Sequence, residues 1–210
     1  MAELSEELKQ ALAELRKSKQ RKFDQSVDLI INLQKFDIKK EQVNLFISVP
    51  YKIKDKKICG FLEIKSNVVD TITRSEFKKY SDKKEIKKLA RDYDFFIAQA
   101  SLMPIVATTF GRALGPTGKM PSPQMGIMVN ADDKTINDLK SRINNSVKIK
   151  TKEASIKVQI GRQSMKDEEI AENALAVYNA VLKALAKGKE NIKNIELKFT
   201  MSKPQKIKLK

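Results

Sequence analysis

The chain has 210 residues, with 42 Lys and Arg against 26 Asp and Glu, no His and a single Cys, giving a net charge of +16. That length allows one large domain or two small ones with real cores. The charge points to a polyanionic partner, against the plain alternative of a merely lysine-rich surface. One Cys cannot form an internal disulfide, and without His there is no zinc cluster and no His-based catalysis, so neither metal nor cofactor is expected.

The N-terminus, MAELSEELKQALAEL, alternates charges with leucines and lacks the apolar core of a signal peptide. No run approaches the roughly 18 apolar residues of a membrane span, so the expectation is a soluble, cytoplasmic protein with no membrane partner. Ser5 followed by Glu6 and Glu7 reads as a helix start, and Leu8, Ala11, Leu12 and Leu15 fall on one face behind it. Val27, Leu29, Ile31 and Leu33 then alternate with polar residues, as do Val43, Leu45, Ile47 and Val49, predicting two half-buried strands. Pro50 stops the second.

From Lys57 the pattern changes. KKICGFLEI reads as a strand, with Cys59 a buried small hydrophobe; RSEFKKY reads as a short helix and DKKEIKKLARDY as a longer one presenting Ile86, Leu89 and Tyr93. DFFIAQ is a continuous apolar strand, followed by a helix-like segment to Leu114, then GIMV and a helix from Asp132 to about Ser141. Strands alternating with helices predict a parallel α/β sheet covered on both sides. After Asn144 the opening style returns: VKIKT and SIKVQIG are strands, Asp167 to Lys187 is a helix ending at Gly188, and NIKNIELKFT is an alternating strand. The first and last segments are therefore expected to share one sheet, with a middle unit inserted between about Tyr51 and Asn144.

Within that middle unit, Leu114 to Val129 reads LGPTGKMPSPQMGIMV. Seven of the thirteen Gly and Pro residues lie between Gly111 and Gly126, which predicts a long shaped loop presenting Lys119 and Met120. It is not a phosphate-binding P-loop. The first Gly of that motif would be Ala113, its hydroxyl residue would be Met120, and the strand-loop-helix order is reversed.

LGPTGKMPSP resembles the most recognisable motif of the large-subunit ribosomal protein L-one family, in its archaeal style. The resemblance extends to RKFDQSVDLIINL (Arg21 to Leu33), DFFIAQASLMP (Asp94 to Pro104), ASIKVQIG (Ala154 to Gly161) and KFTMSKPQ (Lys198 to Gln205), in family order. It implies an α/β (α+β) protein of two domains. Residues 1–51 and 145–210 would form a discontinuous split-βαβ, ferredoxin-like RNA-binding domain, and 52–144 an inserted Rossmann-like three-layer α/β domain.

Two further features bear on function. Lys148, Lys150 and Lys152 alternate with Val147, Ile149 and Thr151, and Lys206, Lys208 and Lys210 with Ile207 and Leu209, so each triplet shares one strand face. Such a face either guards a sheet edge or tracks phosphates. Phe23 lies just before the first strand, where the residues alone favour a core aromatic. The family resemblance instead implies a main RNA site on the split domain made by Lys22, Phe23, Ser26, Lys150, Lys152, Thr200, Met201, Ser202 and Lys203. It implies a secondary contact from Arg112, Lys119 and Met120 in the insert. Ser202 stands where the family usually has Gly, which places the closeness of RNA approach in question.

The partners so implied are large-subunit ribosomal RNA, exit-site tRNA and the protein's own messenger RNA, with a monomeric free protein and no enzymatic activity. The rival readings are a small nucleotide-dependent enzyme on the inserted unit, against which stand the broken P-loop spacing and the lack of GxGxxG, and a general polyanion binder.

Overall fold

The computed structural model describes residues 2–17, 19, 21–37, 41, 43–151 and 153–207. In chain order the elements are α1 (Ala2–Arg16), β1 (Ser26–Leu33), β2 (Asn44–Ser48), β3 (Ile58–Phe61) and β4 (Asp70–Ile72). A 3-10 segment, Arg74–Ser81, leads into α2 (Lys83–Asp92), β5 (Phe95–Gln99), α3 (Met103–Thr117), β6 (Ile127–Met128) and α4 (Asp133–Asn144). Then come β7 (Ser146–Lys150), β8 (Ser155–Arg162), α5 (Asp167–Ala184), β9 (Ile192–Phe199) and β10 (Gln205–Ile207). The chain divides into two compact units, Met1–Lys54 with Asn145–Lys210, and Asp55–Asn144.

The discontinuous unit is built on a four-stranded sheet, order β10-β9-β1-β8, in which every pairing is antiparallel. Val27, Leu29, Ile31 and Leu33 of β1 are buried, with Leu197, Phe199, Ile156 and Val158 beside them on the neighbouring strands. Helices α1 and α5 supply the other wall of this core: Leu8, Ala11, Leu12 and Leu15 from α1, and Ile170, Ala174, Val177 and Val181 from α5. The intervening positions of the strands stay half-buried or exposed, giving the sheet one apolar and one polar face. A separate two-stranded ribbon, β2 with β7, adds Ile47, Val147 and Ile149 to the same core.

The inserted unit is an all-parallel sheet, order β4-β3-β5-β6. Because neighbouring residues of a strand face opposite ways, Cys59 and Phe61 join one core with Phe77, Phe96, Phe110 and Leu114, and Ile58 and Leu62 join the other with Ile97, Ile136 and Ile143. The first core is aromatic, with Phe61 4.8 Å from Phe110 and 5.6 Å from Phe96 between ring centroids. Cys59 is fully buried there, and burial pushes its thiol up to about 12, so it is inert as a nucleophile. Among the described residues no helix is long and apolar enough to cross a membrane.

Several boundaries differ from the sequence reading. Helix α1 begins at Ala2, so Ser5 lies inside it; Ala2, Glu3 and Leu4 are good helix formers. The loop expected from Leu114 begins only after Thr117. Fully buried Phe110 and Leu114 hold α3 in its core through Gly111, Gly115 and Pro116, and packing outweighs poor propensity. Gly118, at φ +70, then ends the helix in a Schellman turn, donating to Gly115 O while Lys119 N donates to Leu114 O. Helix α5 stops at Ala184 rather than Lys187, because Leu185 is extended and Asn191 Oδ1 takes the N–H of Lys187 into a separate turn. Strand β4 carries no three-residue pattern that the sequence could reveal.

Glycine substitutions should have opposite signs in the two units. At Gly161 a Cβ would sit 2.9 Å from Ile170 Cγ1, whereas at Gly111 it would meet nothing within 4 Å. Gly161→Ala is expected to cost about 1–3 kcal/mol of stability by overpacking. Gly111→Ala is expected to add about 0.5–1 kcal/mol by helix propensity. Chemical denaturation of each variant checks both signs.

Candidate nucleic-acid interface

Backbone pairing brings the start of β1 against the end of β9. Thr200 N donates to Ser26 O at 3.2 Å, and Thr200 Oγ1 accepts from Ser26 N at 3.0 Å, so the hydroxyl extends the ladder by one rung beyond Phe199. Gln25, 2% exposed, fixes the next residue: its Oε1 accepts from Met201 N, its Nε2 donates to Gln163 Oε1, and its carbonyl accepts from Gln163 N. Asp24 is held by the N–H and hydroxyl of Ser164 and lies 3.5 Å from Arg162. The segment before β1 and the turn after β9 are thus fastened by buried Gln25 and by the more exposed Asp24, Ser164 and Thr200.

With the backbone so fixed, two large apolar side chains point to solvent. Phe23 is 52% exposed and Met201 is 59% exposed. This corrects the residue-level reading of Phe23 as a core aromatic: the apolar comb of β1 starts at Val27, and the polar groups of Asp24 and Gln25 fill the space between. Lys22 and Lys203 are exposed beside them, and no ion pair holds either among the described residues.

Ser202 closes its own turn. Its N–H donates to Phe199 O, and its hydroxyl oxygen accepts from Phe199 N at 2.8 Å. Among the described residues Lys35 is the only non-glycine with positive φ, so Ser202 needs no conformation reserved for Gly. The side chain is spent inward and leaves the approach to Met201 open.

The remaining predicted residues lie on other elements. Lys148 and Lys150 share one face of β7, but Lys148 lies 5.0 Å over the Phe46 ring, and burial lowers its pKa before the Lys150 charge adds to the effect. Lys150 is exposed at the ribbon end opposite Asn44. Lys152, Lys208 and Lys210 lie outside the described residues, and Lys206 is exposed on β10. In the inserted unit Arg112 is exposed on α3, Met120 packs against the aromatic core, and Lys119 donates from Nζ to Ala90 O and Tyr93 O at 2.8 Å each. The expected cation at the loop tip is a C-terminal cap of α2.

One feature carried no signal in the sequence. A groove of about 360 Å³ borders the cluster, walled by Glu14, Arg21, Gln25, Met201, Lys203 and Gln205. Their positions are scattered, and only the fold gathers them. The polar face of the sheet, by contrast, is the other phase of the alternation already noted. There Ser155 Oγ donates to Asn32 Oδ1 and Asn32 Nδ2 donates to Asn194 Oδ1 at 2.7 Å, a side-chain relay across three strands. Asp28 sits between Gln159 and Lys198, its carboxyl raised above the ordinary range by burial, with Lys198 pulling it back.

That carboxyl gives a pH test. Its folded pKa lies above the unfolded one, so the native state holds the proton more tightly, and stability rises as pH falls through the window upward from about 4. Asp28→Asn should therefore match or exceed the parent's melting temperature at neutral pH and lose that advantage on acidification. A difference independent of pH would contradict the assignment.

The family described as Ribosomal protein L1p/L10e matches the chain over residues 15–203. Among curated relatives, the large ribosomal subunit protein uL1 of Methanococcus voltae is 39% identical over 203 residues, covering 91% of this chain and 92% of the relative. That of Methanococcus vannielii is 38% identical over 209 residues, covering 94% and 95%. That of Nanoarchaeum equitans is 36% identical over 196 residues, covering 89% and 92%.

Proposed function

Because the chain belongs to the ribosomal protein L1p/L10e family, we propose that it binds the stalk segment of large-subunit ribosomal RNA through the cluster at the ends of β1 and β9. In this reading it assists release of deacylated tRNA from the exit site, represses translation of its own messenger RNA by binding a mimic of the ribosomal site, and has no catalytic role. The observation that carries the proposal is the pairing of exposed Phe23 and Met201 with Lys22 and Lys203 around a rigid backbone. An aromatic and a thioether offer faces to a base or sugar, and the lysines take phosphates. The Thr200 hydroxyl accepts from Ser26 N–H and keeps its own proton to donate to a 2′-hydroxyl or phosphate.

Phe23→Ala and Met201→Ala are the cleanest tests, since neither side chain belongs to the core. Each should weaken binding to the stalk RNA by about 1–2 kcal/mol with little change in melting temperature. Thr200→Ala should lower both, because the hydroxyl also holds Ser26. If roughly four to six phosphates are neutralised, log K should fall with log salt at a slope of about −3 to −5. Equal affinity for random duplex DNA at moderate salt would reduce the protein to a general polyanion binder.

The division of labour follows from the same assignment. Val49 N donates to Asn145 O, and Asn173, fully buried in α5, accepts from Tyr51 N and donates to Tyr51 O, so the points where the chain leaves and re-enters the discontinuous unit are fixed on that unit. Replacing the insert by a short Gly/Ser linker should leave a folded protein, because closing a short loop costs little. That protein should retain most of the specific affinity. If the folded insert alone carried it, the main site would lie elsewhere.

A further inference from the structure

Helix α2 carries a second charged surface that the cluster above does not use. Lys84, Lys87, Lys88 and Arg91 stand at i, i+3, i+4 and i+7, so they fall on one side of the helix, and all four are exposed. Ile86, Leu89 and Ala90 occupy the opposite side, each buried in the aromatic core of the inserted unit. Among the described residues no ion pair holds any of the four cations. Lys79 and Arg74, exposed on the preceding 3-10 segment, add to the same run of charge.

Apart from Arg91 in the last turn, this arrangement does not serve the helix. Lys84–Lys88 and Lys87–Arg91 are like-charge pairs at i, i+4, each unfavourable by a few tenths of a kcal/mol. Lys84 sits in the first turn, where the helix dipole opposes a cation. At the C-terminal end the carbonyls of Ala90 and Tyr93 take their hydrogen bonds from Lys119 of another element, and of the four cations only Arg91 lies in the last turn, where the dipole favours it. The four charges thus repel one another in the free protein, with Glu85 and Asp92 beside Lys88 offsetting part of that repulsion, and a polyanion would relieve the rest.

We infer that the exposed face of α2 is a second RNA-contact surface, taking the ribose-phosphate backbone without regard to sequence. Seven residues of helix span about 10 Å, enough to follow two or three phosphates along a strand. An acidic protein is the other polyanion to consider. Protein interfaces rest on buried aromatic and aliphatic anchors, and the exposed large apolar side chains of the described residues are Phe23, Tyr51, Ile64, Val129 and Met201, none of them on Arg74–Asp92. The same lack of apolar side chains argues against a lipid surface.

The inference stands on a different unit from the proposed main site, so the two can fail separately. The test replaces Lys84, Lys87, Lys88 and Arg91 together by Gln in the full chain and measures binding to intact large-subunit RNA against salt. The expected result is a salt slope shallower by about 2, so that the parent's advantage over the variant shrinks roughly tenfold between 50 and 200 mM salt. The loss should be the same for RNA with a mutated stalk, and the melting temperature of the free variant should hold or rise. In parallel, acetylation of Lys84, Lys87 and Lys88 by a small reagent should slow when RNA is added to the parent protein. An unchanged slope with unchanged acetylation would overturn the inference, as would equal protection by polyglutamate at the same ionic strength. A parent protein that binds no RNA at all would instead overturn the main proposal.

Discussion

Strand β1 is hydrogen-bonded on both edges to strands from the far end of the chain, and the discontinuous unit depends on that pairing. Asn32 contacts Ser155 across 123 positions and Asn194 across 162. Such pairings are slow to find, since a long loop must close before any contact rewards it. Two features ease the closure. The β2–β7 ribbon draws together the two points where the insert leaves and returns, and the insert has its own apolar cores on both faces of a parallel sheet. Once the register is set, it is strongly defended: a slip by one residue would turn Val27, Leu29, Ile31 and Leu33 outward and bring Asp28 and Asn32 into the core. The irregularity on the β8 side, where Ile160 falls between the partners of Val27 and Asp28, places Gly161 against Ile170 of α5.

The candidate interface is a by-product of the same pairing. Ser26 and Thr200 are 174 positions apart, and they meet only because β1 and β9 are antiparallel and end together. The turn beyond Thr200 must then fold back so that β10 can pair with β9, and Ser202 supplies the hydroxyl that closes it. A buried glutamine, Gln25, bonds both this turn and the β8–α5 connection. Exposed Phe23 and Met201 therefore stand on backbone that is fastened from three directions. A backbone already fixed has no main-chain freedom left to lose on meeting a ligand, so only the side-chain rotamers remain to be ordered.

Much of the fold was legible in the sequence, because its signals are periodic. The alternation of Val27 to Leu33 and the 3.6-residue stripe of Ile170, Ala174, Val177 and Val181 both correspond to buried faces. What failed was punctuation. Gly111, Gly115 and Pro116 read as breakers, yet α3 runs through them because Phe110 and Leu114 have a core to enter, a fact of tertiary structure. The site was legible only through the resemblance of KFTMSKPQ and RKFDQSVDLIINL to a family. Residue chemistry alone placed Phe23 inside, since nothing local distinguishes an aromatic that ends a core from one that stands beyond it. Gln25 carried no signal at all: an amide before a strand looks like any loop residue until both its partners are in place.

Net charge proves to be a poor measure of what a cation is for. Lys119, Lys140 and Lys56 each donate to main-chain carbonyls of the inserted unit, and Arg16 reaches Asp167 and the carbonyls of Gln163 and Met165 in the other. Lys148 lies over an aromatic ring. These charges are committed to the fold, and the Gly/Pro-rich context that made Lys119 conspicuous is what lets the chain bend it onto α2. Lys22 and Lys203 beside the apolar pair, and the four cations on the outer side of α2, have no such commitment among the described residues. A committed lysine has exchanged its hydration for carbonyl oxygens and would have to give them up to bind a phosphate. An uncommitted one gives up only water and releases the counterions condensed on the nucleic acid. The distinction between the two kinds of cation, rather than their sum, divides the surface into scaffold and contact.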